Sequence, residues 1–412
     1  MSNNPVTGNI LNDDSSTISI DDVTLTEGQA GTSIATLTAT LNLAVKGGVD
    51  VDYTTLDGTA QAGSDYTATN GTLNFTGTAG ETQTIDITIA GDTLVELDEV
   101  LSVELSNVSV PDVTLGNSSG VISVTNDDQA TLSINDMSVV EGNAGNSQVI
   151  LTITSDQAVD AAFSVEANTT DNSATVSDND YVANNSTLNF SGNAGETQQI
   201  TIDVVGDLAP ESDENFFVEL SSISANGRNV TIGNSQGIVT ILSDDPDLYA
   251  SKVANFTVPL GQTDSISYQV LLTNSNVNAD QVLFNDTPDV LTTIVPGSVT
   301  TTQGTILVGN TQGDTTISID IGTVNSGDTV TINYDVKVNN GVNSGSNIVN
   351  QGLFSGTNFD DILTDDPNIN GNDNPTIAGV TDAIMVPTLN EYMLMLLLGL
   401  VFSLGIKRTR LK

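Results

Sequence analysis

A chain of 412 residues with 52 acidic and 8 basic side chains carries a formal charge of −44. Its length allows about three domains at roughly 100–150 residues each, and so strong a polyanion repels nucleic acid and anionic lipid, so no nucleic-acid partner is expected. Cys, His and Trp are absent, which excludes a disulfide framework, thiolate or histidine general-base catalysis, and any zinc site built on Cys or His.

High acidity with few apolar residues signals disorder. Here 38% of residues are apolar and alternate with Thr, Ser and Asp in short runs, the pattern of half-buried strands. Taken in chain order, Met1–Leu11 lacks the basic segment and apolar core of a secretory signal. GNILNDD (Gly8–Asp14) matches the closing strand of the units that follow, GVISVTNDD and GIVTILSDD. Residues 1–14 are therefore expected to be the tail of a preceding repeat, and the sequence an N-terminally incomplete piece of a longer array. From Ser15 onward, strands are expected near Thr17–Asp21, Ile34–Leu41, Val49–Thr54, Thr72–Thr76, Gln83–Ile89, Val100–Leu105 and Gly120–Thr125. Seven short alternating strands with turn signals between them imply an immunoglobulin-like sandwich over 15–128.

That unit recurs. TLNFTGTAGETQTIDITIAGD (Thr72–Asp92) returns as TLNFSGNAGETQQITIDVVGD (Thr187–Asp207), 115 residues on, and LTEGQAG (Leu25–Gly31) returns as VVEGNAG (Val139–Gly145). A second sandwich is expected over 129–245, stacked end to end with the first as a rod. The carboxylates recur as well: Glu27, Asp65, Asp92, Glu96, Glu99, Asp127 and Asp128 in the first unit, and Glu141, Asp180, Asp207, Glu211, Glu214, Asp244 and Asp245 in the second. Most fall at strand ends or in loops, which a sandwich gathers at its two tips. Two like charges about 4 Å apart repel by roughly 4 kcal/mol at an effective dielectric of 20, and a few such pairs would outweigh a typical folding stability of about 5–15 kcal/mol. Protonation, separation or a bound cation must relieve them. Calcium accepts about 6–8 hard oxygens in flexible geometry and suits this set. An acidic surface is ordinarily just solubilising. Recurrence at the same positions, beside Gly and the closing Asp pairs, favours calcium.

These residues resemble tandem Calx-beta domains, modules of sodium–calcium exchangers and of many bacterial surface proteins. The carriers are the EG near the start of each unit, A-x-x-G-S-D-Y (Ala60–Tyr66), GETQ, the D-x-x-x-E-x-x-E run and the closing DD. The resemblance implies a seven-stranded sandwich binding calcium at one end, with ligands from the EG glutamate, the SDY aspartate, the acidic run and the closing aspartates. Gly91 and Thr93 flank Asp92 where calcium-rich members carry further aspartates, which implies fewer or weaker ions per domain.

From Pro246 the pattern changes. Alternating segments at Pro259–Asn276 and Ile321–Val338, with Asn347–Thr376 after them, resemble an immunoglobulin-like repeat of bacterial surface proteins, expected here as a spacer over 246–365 with a linker over 366–384. Asp366–Gly371 imitates the start of an EF-hand loop, but the twelfth position is Ile377, not Glu, and no helices flank it. Residues 385–412 close the chain with VPTLNEY (Val386–Tyr392), the apolar run Met393–Ile406 and a block of four basic residues in KRTRLK. This reads as one C-terminal transmembrane helix with its basic end inside. It resembles the IPTL-type sorting signals of Gram-negative bacteria, which implies roles for Pro387, Thr388, Leu389, Glu391 and Tyr392 and an exosortase-like processing partner. Val386 and Tyr392 stand where the leading Ile and usual Trp are expected.

The expectation is thus an all-β chain of tandem immunoglobulin-like sandwiches with a C-terminal membrane helix: a calcium-binding, non-enzymatic, membrane-anchored surface adhesin or stalk whose own ligand the sequence does not reveal. A calcium-sensing module in cell communication is the alternative. A carboxylate-dependent glycoside hydrolase is a third reading, opposed by duplication of the cluster and by a scarcity of aromatics to stack sugars.

Overall fold

The computed structural model describes residues 13–381, and every regular element among them is a β-strand. The expected membrane helix, the sorting residues Pro387, Thr388, Leu389, Glu391 and Tyr392, the basic tail and most of the expected preceding-repeat strand lie outside the described residues. Among the described residues no helix is long and apolar enough to cross a membrane.

The first repeat has nine strands, not seven: β1 Ser16–Ile20, β2 Val23–Thr26, β3 Gly31–Leu41, β4 Val49–Asp57, β5 Asn70–Phe75, β6 Thr82–Gly91, β7 Glu99–Ser106, β8 Val113–Leu115 and β9 Ser119–Thr125. The two additional strands, β2 and β8, span four and three residues, too short for alternation to register. Both sit at sheet edges, in orders β6-β3-β1-β8 and β2-β9-β7-β4-β5, and both pair in parallel, β1 with β8 and β2 with β9. The chain changes sheets between β1 and β2. Two adjacent carboxylates make that switch possible: Asp21 Oδ1 accepts from Thr38 N at 2.6 Å and Asp22 Oδ1 from Val121 N at 2.8 Å. Each satisfies a backbone donor that the departing strand leaves. Inside, period-2 alternation holds. Ile85, Ile87 and Ile89 of β6 are buried against Leu37 and Leu41 of β3 and Leu101 and Val103 of β7 in one apolar core.

The second repeat has the same nine strands, from Ala130–Ile134 to Gln236–Leu242, in sheets of four and five with the same order. Asn135 and Asp136 stand at its sheet switch, accepting from Thr152 N and Ile238 N. Its core contains one residue of the first repeat, the fully buried Val95.

By its contacts the chain forms two compact units. One holds residues 13–139 with Asn146–Val205 and Glu214–Ile241; the other holds the short segments Val140–Gly145 and Gly206–Asp213 together with residues 242–381. Two five-stranded sheets and a two-stranded one follow Leu248 and enclose their own core. The expected linker over 366–384 is corrected in part. Thr376–Gly379 is a strand paired with Asn347–Asn350, and Ala378 and Val380 are core residues. A four-residue strand among Asn, Asp and Gly is invisible as periodicity, and its burial comes from the partner strand. The EF-hand-like start is a turn, in which Asp366 Oδ1 accepts from Asn368 N and Nδ2.

Candidate metal site at the loop ends

In the first repeat the strand ends at 26, 57, 91 and 125 and the start of β7 at Glu99 bring the predicted residues to one tip. Two groups form there. Carboxylate oxygens of Glu27, Asp127 and Asp128 lie within 4.8 Å of one another, and so do those of Asp65, Glu96 and Glu99. Asp92 adds its charge to both: it acts on Glu27 and Asp128, and on Glu96.

Local sequence explains how the loops come so close. Gly28 follows Glu27 at φ +88°, a left-handed turn that glycine accepts without strain, and its N–H donates to Asp127 Oδ1 at 3.1 Å. Gly91 packs against this turn: a Cβ on it would stand 2.2 Å from Gly28 O. EG and GD are therefore one device read from two strands. Asp65 is fixed by Gln61 N, which donates to its Oδ2 at 2.6 Å, and by Ala90 N, which donates to its carbonyl. Tyr66 beside it is buried and donates to Asp57 Oδ1 at 2.7 Å. Asp92 closes its own turn, accepting from Leu94 N at 2.7 Å. The glutamate of GETQ serves the fold instead. Glu81 accepts from the N–H groups of Thr76, Gly77 and Thr78, which holds it down at about 2.

The electrostatics at the tip run the other way. Glu27, Glu96 and Glu99 are each raised to about 7, first by burial and then by neighbouring carboxylates: Glu96 on Glu27, and Asp65 on both Glu96 and Glu99. Asp128, also buried, is raised by the same causes, burial and then Asp127 and Asp92. Glu27 Oε1 and Asp128 Oδ2 are buried without a hydrogen-bond partner, a costly state for an anionic oxygen.

Sequence reading missed what the second repeat contributes. Val95 N donates to Ala158 O at 2.9 Å, and Asp160 N donates to Val95 O at 3.1 Å. The loop carrying Glu96 is thereby clamped to the next sandwich. Asp160 also adds negative charge toward Glu96 and Glu99, while it is paired with Arg228. A lone Asp and a lone Arg outside the repeated motifs gave no signal.

In the second repeat, oxygens of Glu141, Asp244 and Asp245 again lie within 4.8 Å. Gly142, at φ +87°, donates to Asp244 Oδ1 at 2.8 Å. Glu141 is raised to about 7 by burial, Glu211 and Asp207, and Asp245 to about 6 by burial and Asp244. Asp245 is fully buried with both carboxylate oxygens unpartnered. Asparagines outside the repeated motifs hold this loop set: Asn276 Nδ2 donates to Glu211 O and Asp245 O, and Asn358 Nδ2 to Asp244 O. Asp207 closes its turn on Ala209 N. Asp180 Oδ2 accepts from Thr175 N as Asp65 does from Gln61, and Glu214 opens its strand as Glu99 does.

A β-sandwich whose loop ends gather carboxylates, with buried oxygens left bare, belongs to the class of all-β modules built to receive hard cations. The comparisons name the family. A model of the Calx-beta domain matches residues 12–137 and 125–245, more than half of the chain, and the chain belongs to that family. Curated relatives include sodium/calcium exchanger 1 of Canis lupus familiaris and of Bos taurus, each 52% identical over 63 residues, which is 15% of this chain and 6% of the exchanger. The chain thus spans only a small fraction of those proteins. Among solved structures, CBD12 from CALX1.2 covers 54% of this chain and 99% of its own at 18% identity and TM-score 0.27. The apo form of the Calx CBD1 domain covers 27% and 98% at 25% identity and TM-score 0.24.

Proposed function

We propose that this chain is a calcium-binding surface stalk or adhesin in which each repeat holds calcium at its loop end. The observation that carries this reading is the pair of carboxylate groups in the first repeat, each within 4.8 Å, with Glu27 Oε1 and Asp128 Oδ2 buried and unpartnered. The donor set fits the ion. All candidate ligands are carboxylates, and the chain has no Cys or His to favour a softer metal. Glu27, Asp127 and Asp128 would hold one ion and Asp65, Glu96 and Glu99 another, with Asp92 beside both; Glu141, Asp244 and Asp245 would act in the second repeat, with Asp180, Asp207, Glu211 and Glu214 at the equivalent sequence positions. The ion would supply the positive charge that the carboxylates lack.

Surface attachment is supported by the apolar run Met393–Ile406 followed by Lys407, Arg408, Arg410 and Lys412, with the Pro387-Thr388-Leu389 motif as the expected site for an exosortase-like partner. A non-enzymatic role accords with duplication of the acidic set. Clamping of the Glu96 loop through Val95 favours a stiffening role for the ion over a purely local one.

Isothermal titration of metal-stripped protein with calcium is expected to show saturable binding that is weakened by Glu27→Gln and by Glu99→Gln. Absence of saturable binding in the millimolar range or below would refute the reading. Calcium-driven change of dimensions in small-angle scattering, without a change in melting, would favour the sensing alternative.

A further inference from the structure

The last domain buries an amine, a carboxyl, a phenol and a carboxamide in one connected group. Lys252 lies on the strand Leu248–Phe256, Asp286 on Ala279–Asp286, Tyr334 on Thr329–Val338 and Asn350 on Asn347–Asn350. Their exposures are 0%, 3%, 1% and 1%. Lys252 Nζ lies 2.5 Å from Asp286 Oδ2, Tyr334 Oη donates to the same oxygen at 2.5 Å, and Asn350 Nδ2 donates to Tyr334 Oη at 2.8 Å. The rings of Tyr268 and Tyr334 cover the amine, with centroids 4.7 and 5.4 Å from Nζ. Thr376 ties the two outer members together. It is the register partner of Asn350, and its Oγ1 donates to the Lys252 carbonyl at 3.0 Å.

We propose that Lys252 and Asn350 are joined by an intramolecular isopeptide bond, formed by the domain itself with Asp286 as the proton carrier. Deprotonated Nζ attacks Asn350 Cγ, the new C–N bond forms, the Cγ–Nδ2 bond breaks and ammonia leaves. No oxidant, reductant or second substrate is needed. The proton lost by the attacking nitrogen has a path to the departing one: Nζ to Asp286 Oδ2, to Tyr334 Oη, to Asn350 Nδ2.

Three features support the step. Burial lowers Lys252 to about 8 and raises Asp286, so the apolar setting favours the neutral amine and neutral acid that the reaction requires. Asp286 Oδ1 and Asn350 Oδ1 are both buried acceptors without partners. A proton on Asp286 turns one acceptor into a donor and polarises a neighbouring carbonyl. Lys252 and Asn350 are held from different sheets on the same Asp286–Tyr334 pair, which restricts how far the amine must move to reach the carboxamide. Asn350 is the acceptor and Asp286 the acid because a carboxyl group facing an amine exchanges a proton with it, while the carboxamide has no acidic proton to exchange and releases ammonia. The bond would staple the first strand of the domain to a late one.

The test is mass spectrometry of the purified full chain after denaturation and trypsin digestion. The expected product resists cleavage after Lys252, contains the peptides of Lys252 and Asn350 in one species, and is lighter than their sum by one ammonia. Asp286→Asn and Lys252→Met are expected to restore the unlinked mass. Cleavage after Lys252 with unmodified Asn350 in the parent protein would overturn the proposal, as would a loss of one water linking Lys252 to Asp286. A link that persists in a folded Asp286→Asn variant would overturn the role of the acid. Because the parent chain alone decides between linked and unlinked, a misfolded variant does not remove the test.

Discussion

The loop end of the first repeat and the interior of the last domain both bury ionisable groups, with opposite charge balance. At the loop end, Glu27, Glu96 and Glu99 are surrounded by further carboxylates and rise to about 7. In the last domain Asp286 is more deeply buried, yet it meets Lys252 and Tyr334 directly. The first arrangement is one that a cation would relieve. The second carries its compensating groups, Lys252 and Tyr334, in its own sequence. Burial of a charge therefore identifies a ligand site only when no compensating group is built in beside it.

The largest effect that should separate the two regions is metal removal. Calorimetry with and without chelator should lower the melting of the repeats and leave that of the last domain in place. The expected loss is about 2.7 kcal/mol for each site that calcium fills at roughly a hundredfold excess over its dissociation constant. Equal shifts in both regions would break the comparison. Next comes pH in the absence of metal. Glu27, Glu96 and Glu99 have folded values near 7 against an ordinary 4.5, so the folded state holds those protons more tightly. Their contribution to stability is complete below about 4.5 and is lost as pH rises through about 7. Thermal melts of the stripped protein should fall across that window, roughly 2–4 °C for each kcal/mol lost, and saturating calcium should flatten the curve.

Val95→Ala should cost about 2 kcal/mol by opening a cavity in the second sandwich. Because Val95 precedes Glu96, calcium affinity in the first repeat should weaken with it; an unchanged affinity would mean the clamp does not position the loop. Glu96→Gln should reverse sign between conditions. Without metal, melting should rise through relief of repulsion, whereas calcium affinity should fall about tenfold, or about 1.4 kcal/mol. The smallest effect is Tyr66→Phe, which removes the hydrogen bond to Asp57 and should lower stability by about 1 kcal/mol in urea melts.

The repeat was fully legible in the chain, since duplicated strings need no geometry to be seen. The EG and GD motifs were legible as markers, but their partnership was not. That a Cβ on Gly91 would strike Gly28 O is a contact between residues 63 positions apart in sequence. β2 and β8 were missed because strands of four and three residues hold too few alternations. Thr376–Gly379 reads as linker in the sequence because its burial comes from Asn347–Asn350 across the sheet.

What the sequence determined by itself was strand periodicity, the two-copy organisation and a recurring excess of carboxylates, all of which are local or translational properties of the chain. Only the tertiary structure decided which acids share a volume, that Val95 locks the Glu96 loop into the next sandwich, and that Lys252, Asp286, Tyr334 and Asn350 form one connected group. Charge interactions depend on distance and burial, and both are set by packing between residues that no sequence spacing relates.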